Sequence, residues 1–298
     1  TLTDHSPPSR SQGAGTRIVE AEHPMSDIVL SAGVRANLLN LQKTSDLIAL
    51  TQNRLATGKK VNSALDNPVN FFTAQGLNNR ASDLSSLLDS MATGMSTIQA
   101  ANNGITSITK LVQSAQALTS QAMQTSDTTV RAGLSAQYDQ LLSQIDLLAA
   151  DSGFNGINLL DSSNSGDLTI TLNESGTSAI TVTSVDFTTA GALAVAPSVG
   201  GWATTADIQT ASGELTAALI TLRSQAQTFG SNLSTVQIRQ EFTKAMVNTL
   251  TSGADNLTLA DANEEGANML ALQTRQQLST TALSLASQAS QAVLRLFQ

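Results

Sequence analysis

The chain has 298 residues and a net charge of −8, and only 13% of its residues are charged, about half of the ~25% in ordinary soluble domains. It contains no cysteine, and its two histidines, His5 and His23, both lie in the first 24 residues. The rest of the chain therefore lacks the side chains that most often act as nucleophile, general base or metal ligand. We expect a protein that is not an enzyme and that binds neither a cofactor nor a metal.

Aromatic residues are scarce and charge is unevenly spread. Seven Phe, one Tyr and one Trp cannot fill a bulky globular core, so the composition favours long helices that pack through small and aliphatic side chains. Residues 132–222 contain nine acidic residues and no Lys or Arg, whereas the two ends of the chain are nearly neutral. Without a basic patch the sequence predicts no nucleic-acid binding, and without an apolar run of about 18 residues it predicts no membrane span.

Residues 1–24 differ from everything that follows. They are rich in proline, have no apolar periodicity, and lack the hydrophobic stretch of a signal peptide. We expect this segment to be disordered, either as an artificial extension or as a misassigned start, with Met25 as the natural first residue. A functional tail is the alternative.

Four apolar stripes with a seven-residue repeat follow along the chain. The first is Leu41, Ile48 and Leu55; the second is Leu77, Leu84, Met91, Ile98, Ile105 and Val112; the third is Leu134, Leu141 and Leu148; the fourth is Leu215, Leu222, Phe229, Val236, Leu250 and Leu257, with Thr243 in step. Sustained repeats of seven predict coiled-coil-like helices. The second and fourth stripes would be roughly 54 and 64 Å long, so we expect a mainly α, elongated rod in which long helices from both chain ends pack together.

The pattern changes between the third and fourth stripes. An Asn-Gly turn signal at 155–156 is followed by alternating apolar and threonine residues at 168–172 and 180–183. Alternation with a period of two predicts short β-strands, here a hairpin. Residues 161–205 are therefore predicted to be a small β region, placed where the chain doubles back.

The terminal segments carry more apolar surface than one partner helix can cover. One C-terminal face contains Met269, Leu272, Gln276, Ser279, Leu283, Ala286, Ser290, Val293 and Phe297, and a neighbouring face contains Ala271, Leu278, Leu285 and Ala292. Near the N-terminus, Leu38, Leu39, Leu47 and Leu50 widen the stripe that starts at Leu41. Because proteins rarely leave so much apolar surface exposed, we expect other subunits to cover it.

Four short motifs, in this order, resemble those of bacterial flagellins. QNRLATGKKVNSALDN at 52–67 resembles the family's N-terminal signature of a helix, a Gly, basic residues and N-S-A-x-D, and FNGINLL at 154–160 resembles its F-N-G-x-x-L-L. LADAN at 259–263 and the N-M that follows resemble its C-terminal D-A-D…N-M segment, in shortened form. QAVLRLF at 291–297 resembles its apolar ending with one Arg. The resemblance extends over nearly the whole chain.

The resemblance implies a structural subunit that self-assembles into the extracellular flagellar filament for motility. It implies an inner terminal domain at the filament core, here 26–66 with 258–298; a helical rod domain, here 67–160 with 206–257; and an outer tip, here 161–205. It also implies unfolded export by the flagellar type III apparatus, without a cleaved signal peptide. The implied partners are further copies of the chain, an export chaperone, and the hook–filament junction and cap proteins.

Two alternatives remain open within this resemblance. Asp66-Asn67-Pro68 predicts that one helix stops and another starts at the proline, and hook–filament junction proteins also tend to have a proline here, so a junction protein is one alternative. A flagellin-like binding protein at the cell surface is the other. In that case Trp202 would stack on a sugar, although the neighbouring glycines favour Trp202 as a local packing anchor.

One stretch bears on an animal partner. Gln113, Ser114, Gln116, Ala117 and Leu118 correspond to the family's Q-R-V-R-E-L-A segment, which the Toll-like receptor for flagellin recognises. The glutamine and the leucine match, whereas both arginines and the glutamate are replaced. Because the loss of an arginine at an interface hot spot costs about 2 kcal/mol or more, we expect weak or no receptor activation.

Overall fold

The computed structural model describes residues 32–163 and 166–296. Its elements are α1 (Ala32–Thr57), α2 (Pro68–Met123), α3 (Thr128–Asp151), β1 (Leu168–Thr171), β2 (Ala179–Val182), α4 (Thr205–Thr258) and α5 (Ala262–Leu296), with a 3₁₀ turn at Gly200–Trp202 before α4. The predicted fold class, mainly α with a small β-hairpin in the middle, is confirmed. The predictions for residues 1–24 and for Phe297 lie outside the described residues, as do the side chains of Ser290 and Val293.

The described residues divide into two compact units. The terminal unit contains residues 32–56 and 261–296, and the central unit contains residues 57–260. The loop that follows α1 belongs to the central unit, although the sequence placed it with the terminal segments, because hydrogen bonds tie it to the end of α4. Lys60 N donates to Thr258 O (2.8 Å), and Ala260 N donates to Gly58 O (2.9 Å).

In the central unit, α2 and α4 pack antiparallel. Leu84 near the start of α2 shares an apolar cluster with Leu250 near the end of α4. At the other end of the pair, Gln116 Nε2 of α2 donates to Thr216 Oγ1 of α4 (3.3 Å). The two helices contain 56 and 54 residues, so each is about 80 Å long. Their facing stripes bury apolar side chains at seven-residue intervals, as coiled-coil-like packing requires.

Two glycines let neighbouring elements approach the backbone of α2 closely. A Cβ at Gly94 would lie 2.5 Å from Ile170 Cδ1 of the hairpin, and one at Gly104 would lie 2.8 Å from Cβ of Ser152, which caps the end of α3. Because carbon atoms pack at about 3.5–4.0 Å, no larger residue fits at either position without a shift. These glycines fix where the hairpin and α3 rest on α2.

The hairpin has the alternation that the sequence predicts. β1 and β2 are antiparallel, with Leu168 opposite Val182 and Ile170 opposite Ile180. Leu168, Ile170 and Val182 are buried, while Thr169 is exposed. One face of this short ribbon therefore packs on the helices, which provide the support that an isolated two-stranded hairpin lacks.

The hairpin lies beside α2 and does not extend past the ends of that helix. Its turn places Glu174 against Arg80, and its strand β1 rests on Gly94, both well inside α2. A hydrogen bond from its own backbone, together with the Arg80 guanidinium, lowers the pKa of Glu174. The role of residues 161–205 as an outer tip of an assembly stays a prediction.

Acidic side chains of the central unit hold an irregular loop in place. Loop 186–199 contains no helix or strand, so its N–H groups need other partners. Asp146 Oδ1 accepts from Thr189 N (2.6 Å), Asp139 Oδ1 from Ser198 N (2.8 Å), and Glu214 Oε2 from Ala196 N (2.8 Å). Three of the acidic residues that make this part of the sequence negative therefore serve as acceptors for backbone N–H groups of the loop.

The single tryptophan and the single tyrosine form a buried pair near the start of α4. Trp202 is fully buried, and its ring centroid lies 5.0 Å from that of Tyr138. This confirms Trp202 as a packing anchor and leaves no exposed ring face for a sugar. The hydroxyl of Tyr138 donates to Ala196 O (3.1 Å), and burial, together with the charges of Glu214 and Asp139, raises the pKa of Tyr138 above its ordinary range.

A buried arginine joins the ends of three elements beside this pair. Arg131 of α3 is 7% exposed, and its Nε donates to Ala122 O in the last turn of α2 (3.2 Å) and to Thr125 O in the loop (2.7 Å). Its Nη2 donates to Thr205 Oγ1 at the start of α4 (3.3 Å). The guanidinium thus satisfies carbonyls that a helix C-terminus leaves unpaired.

Candidate assembly interface

In the terminal unit, only a narrow line of α1 side chains is shielded from solvent. Thr44 and Thr51 are buried, and Leu41 and Ile48 are half-buried, at the three- and four-residue spacing of one helix face. Leu55, a predicted member of the stripe, is 38% exposed. Its place on the covered face is taken by the neighbouring Arg54, whose side chain is 31% exposed and turns toward α5.

The covered face of α5 follows the first of its two predicted faces. Its half-buried members are Met269, Leu272, Gln276, Ser279, Leu283 and Ala286. Alternate spacings of three and four residues are typical of a coiled-coil seam. Among the described side chains of α5, only Glu265 is buried, so this seam contributes little apolar burial of its own.

The second apolar face of each terminal helix is uncovered. On α5, Leu270, Leu278 and Leu285 are 68%, 67% and 61% exposed, and Ala271 and Ala292 are exposed beside them. On α1, the exposed leucines are Leu38, Leu39, Leu47 and Leu50. The structure therefore leaves open the surface for which the sequence predicted subunit contacts.

An ion pair links the two terminal helices. Arg54 Nη1 of α1 lies 2.9 Å from Glu265 Oε1 of α5, and the glutamate side chain is only 9% exposed. Sequence reasoning missed this pair because 211 residues separate its members. The neighbouring carboxylate of Asp261 caps α5 instead, accepting from Asn263 N (2.8 Å). Within residues 32–163 and 166–296, no group of three acidic or histidine side chains could hold a metal ion.

The loop between α1 and α2 is built as the sequence predicts. Gly58 follows the last residue of α1 with a φ of +68°, a conformation that favours glycine and often ends helices. Pro68 is the first residue of α2, and Asn67 Oδ1 accepts from Asn70 N (3.0 Å). The proline that left a junction protein open is therefore explained by ordinary helix initiation.

The predicted stripes of the central unit lie along its core. Buried members are Leu84, Met91, Ile98, Ile105, Val112, Leu134, Leu215, Leu222, Phe229, Val236, Thr243 and Leu250; Leu77, Leu141, Leu148 and Leu257 are half-buried. In the monomer these residues pack within the chain. They hold α2, α3 and α4 together, whereas the terminal leucines are exposed; the part that either set plays in assembly stays a prediction.

The stretch that corresponds to the receptor-binding segment has some side chains exposed to solvent and others turned toward neighbouring helices. Gln113, Ser114 and Ala117 are exposed, while Gln116 is used in the contact with α4. Leu118 is half-buried. Neither Ser114 nor Gln116, which stand where the family has arginines, provides a cation at this surface.

The groove between α2 and α3 opens beside this stretch. Its volume is about 490 Å³, and its lining includes Ser114 and Leu118 from α2 and Gln137, Gln140, Leu141 and Gln144 from α3. The lining side chains are all uncharged. Half-buried leucines form an apolar floor beneath a rim of amides and hydroxyls.

None of the described helices is both long enough and apolar enough to cross a membrane. Long paired helices that keep uncovered apolar faces are typical of structural proteins that assemble with further copies. Two family models match the chain: the bacterial flagellin N-terminal helical region at residues 32–165 and the bacterial flagellin C-terminal helical region at residues 212–297.

Curated relatives match over almost their full length. Flagellin FljM of Caulobacter vibrioides is 31% identical over 278 residues, which cover 92% of this chain and 99% of FljM. A flagellin of Brucella melitensis is 26% identical over 283 residues, which cover 92% of this chain and 100% of that protein. A crystal structure of Bacillus cereus flagellin aligns with a TM-score of 0.44 and 24% identity, over 56% of this chain and 91% of that chain.

The chain belongs to the bacterial flagellin family. It is a structural subunit of the flagellar filament, the extracellular assembly that serves bacterial motility.

Proposed function

We propose that this chain enters the filament through α1 and α5, whose uncovered apolar faces pack against other copies. The observation that carries the proposal is the exposure of Leu270, Leu278 and Leu285 on one described face of α5. Burial of apolar surface is the main driving force of protein association. Exposed leucines about two turns apart, on a helix that already has a covered seam, therefore favour contacts with further subunits.

The proposal includes ordering of the terminal helices on assembly. Within the terminal unit, α1 buries only Thr44 and Thr51, and α5 buries only Glu265 among its described side chains. A segment that buries so little apolar surface does not offset the entropy lost on ordering. In solution we expect these segments to be unfolded, which suits export in unfolded form through the flagellar type III apparatus.

Three further kinds of partner are implied by the family and belong to the same proposal. An export chaperone would cover the apolar C-terminal segment before secretion. The hook–filament junction and cap proteins would meet the first and last subunits of the filament. The uncovered leucines of α5 are the surface on which we expect such contacts.

The experiment replaces the two most regular members of the uncovered face, Leu278→Ser with Leu285→Ser. Burial of a leucine contributes about 1.5–3 kcal/mol, and about two thirds of each side chain is available, so the pair contributes about 2–4 kcal/mol per subunit. We expect the critical concentration for polymerisation of purified subunits to rise roughly 30-fold or more. Gln277→Ser, on the same helix and also exposed, is the matched control.

Polymerisation of the double leucine variant at the wild-type critical concentration would contradict the proposal. Thermal unfolding of the central unit is the folding control. It should be nearly the same in the variant and the wild type, because neither leucine belongs to residues 57–260.

We also propose that this flagellin activates the Toll-like receptor for flagellin weakly or not at all. The support is the absence of cationic side chains at Ser114 and Gln116 and of a carboxylate at Ala117 on this part of α2. A reporter-cell assay tests it, with a variant that carries Ser114→Arg, Gln116→Arg and Ala117→Glu as the gain-of-function comparison. Full potency of the wild-type chain would contradict the proposal.

A further inference from the structure

The sequence contains two Asn-Gly pairs, at 103–104 and at 155–156, and isoleucine follows each of them. This dipeptide is prone to spontaneous deamidation, because glycine places no side chain beside the backbone nitrogen that attacks the asparagine side chain. Both asparagine side chains are exposed, so access to water does not distinguish the two pairs. Their backbones do.

Asn155 and Gly156 are the central residues of a tight turn. Phe154 N donates to Ile157 O (2.8 Å), and Ile157 N donates to Phe154 O (3.0 Å). The φ angles of Asn155 and Gly156 are +50° and +80°, and positive φ at both central residues is characteristic of a type I′ turn. The turn is therefore fastened at its two outer residues.

The central peptide of this turn, between Asn155 and Gly156, is not fastened. Within residues 32–163 and 166–296, no hydrogen bond holds Asn155 O or Gly156 N, and nothing lies within 4 Å of a Cβ placed at Gly156. Rotation of this one peptide converts a type I′ turn into a type II′ turn, and ψ of the first central residue moves from about +30° to about −120°. The two outer hydrogen bonds can be kept during this rotation.

The rotation brings the reacting atoms together. At a ψ of about −120°, Cβ of Asn155 and the nitrogen of Gly156 lie on the same side of the bond between Cα and the carbonyl carbon, as a five-membered ring requires. At a ψ of about +30° they lie on opposite sides. A local flip of one unfastened peptide thus converts the resting turn into a near-attack conformation.

The pair at 103–104 has the same residues but a fixed backbone. It lies inside α2, where each N–H donates to the carbonyl four residues earlier, and Asn103 O also accepts from Ser107 Oγ (3.0 Å). Gly104 is buried, and a Cβ there would lie 2.7 Å from Leu160 Cδ1. Rotation of this peptide therefore breaks helical hydrogen bonds and requires local opening of the packed core.

We propose that Asn155 is a site of spontaneous covalent modification in the folded subunit, and that Asn103 is protected. Gly156 N loses its proton and forms a bond to Cγ of Asn155; the bond from Cγ to Nδ2 breaks, and Nδ2 leaves with a proton as ammonia. One water molecule then opens the resulting succinimide ring. Addition of water at Cγ leaves aspartate, and addition at the backbone carbonyl carbon leaves isoaspartate, in which the main chain continues through the former side chain.

The modification changes both the charge and the backbone of the turn. Either product adds a negative charge to an acidic part of the chain, and isoaspartate also adds a methylene group to the main chain. A two-residue turn cannot keep its geometry with an extra backbone atom, so the pairing of Phe154 with Ile157 should be lost. Asn158, which follows the turn, is anchored to the end of α3 through Ala149 O (2.8 Å), so we expect the disruption to stop there.

The test incubates the purified full-length protein at mildly alkaline pH, once folded and once in denaturant. Peptide mass spectrometry and labelling by an isoaspartate-specific methyltransferase follow both pairs in the same sample. In the folded protein we expect Asn155 to react at least about tenfold faster than Asn103, because only its peptide can rotate without opening the core. In denaturant, which removes turn and helix alike, the two pairs should react at similar rates, so Asn103 is the matched internal control.

Asn155→Gly is the variant that removes the reacting side chain and keeps the turn, because Gly-Gly also suits a type I′ turn. Its thermal unfolding should be nearly that of the wild type. During incubation of folded protein, the wild type should accumulate an acidic form on anion exchange, and Asn155→Gly should not. Equal rates for Asn155 and Asn103 in the folded protein, reaction of Asn155 only in denaturant, or equal accumulation of the acidic form in both proteins would overturn the proposal.

Discussion

Gly104→Ala tests the close approach of α3 to α2. The added Cβ would lie 2.8 Å from Ser152 Cβ, and 2.7 Å from Leu160 Cδ1. The first of these atoms cannot move by rotation of a side chain, because a Cβ is fixed to the backbone. Overpacking of this kind costs typically about 1–3 kcal/mol, while alanine gains about 1 kcal/mol over glycine inside a helix. We expect a net loss of about 1 kcal/mol in the free energy of unfolding.

Gly76→Ala in the same helix is the control. Nothing lies within 4 Å of a Cβ at Gly76, so this variant should gain about 1 kcal/mol from helix propensity alone. The difference between the two variants isolates the steric term. Denaturant unfolding, followed by helical circular dichroism and by the fluorescence of the single, buried Trp202, measures both. Equal stabilisation by the two substitutions would refute the reasoning that Gly104 is required by close packing.

Two further predictions concern charged and ionisable groups. Because burial raises the pKa of Tyr138, its phenol ionises more readily in the unfolded chain, so the free energy of unfolding should fall as pH rises above the ordinary tyrosine pKa of about 10. The phenolate absorbance of this single tyrosine should then appear only on unfolding; titration at the same pH in folded and denatured protein would contradict this. For the ion pair between Arg54 and Glu265, the variants Arg54→Met, Glu265→Gln and the double variant should show a coupling of about 1–3 kcal/mol in the thermal disassembly of filaments. Additive effects of the two single substitutions would show that the pair does not stabilise the terminal unit.

The long helices could be predicted from the sequence because their packing repeats locally. Seven-residue spacing in α2 and α4 is dictated by helix geometry, so Met91 and Phe229 are buried where the pattern places them. Alternation at 168–172 likewise predicts β1. The caps at Gly58 and Pro68 depend on single residues with strong backbone preferences, which explains why they too could be read from the sequence.

Features that join distant parts of the chain could not be predicted in this way. Arg54 and Glu265 meet only after both terminal helices have packed, and neither residue belongs to an apolar repeat. The same holds for Arg131, whose carbonyl partners include one at the end of α2 and one in the loop that follows it. Leu55 fits the repeat but is exposed, because α1 ends two residues later and Arg54 takes the covered position.

The sequence predicts that α5 has a second apolar face, but it does not identify the surface that covers this face. An apolar face shows in the sequence as a spacing, and Leu278 and Leu285 are exposed as that spacing requires. The surface that covers such a face belongs to another molecule, and the spacing of apolar residues within one helix carries no information about it. For Asp139 and Asp146 the sequence showed only an excess of negative charge. The structure shows the role of these two carboxylates, which accept hydrogen bonds from backbone N–H groups of the loop 186–199.

Amide hydrogen exchange of monomer and filament tests most directly whether the terminal helices become ordered by packing against other copies. In the monomer, the amides of α1 and α5 should exchange with little protection, because these helices bury few side chains within the chain. In the filament the same amides should be strongly protected, while those of α2 and α4 should be protected in both states. Protection of α1 and α5 in the monomer equal to that of α2 would contradict the account.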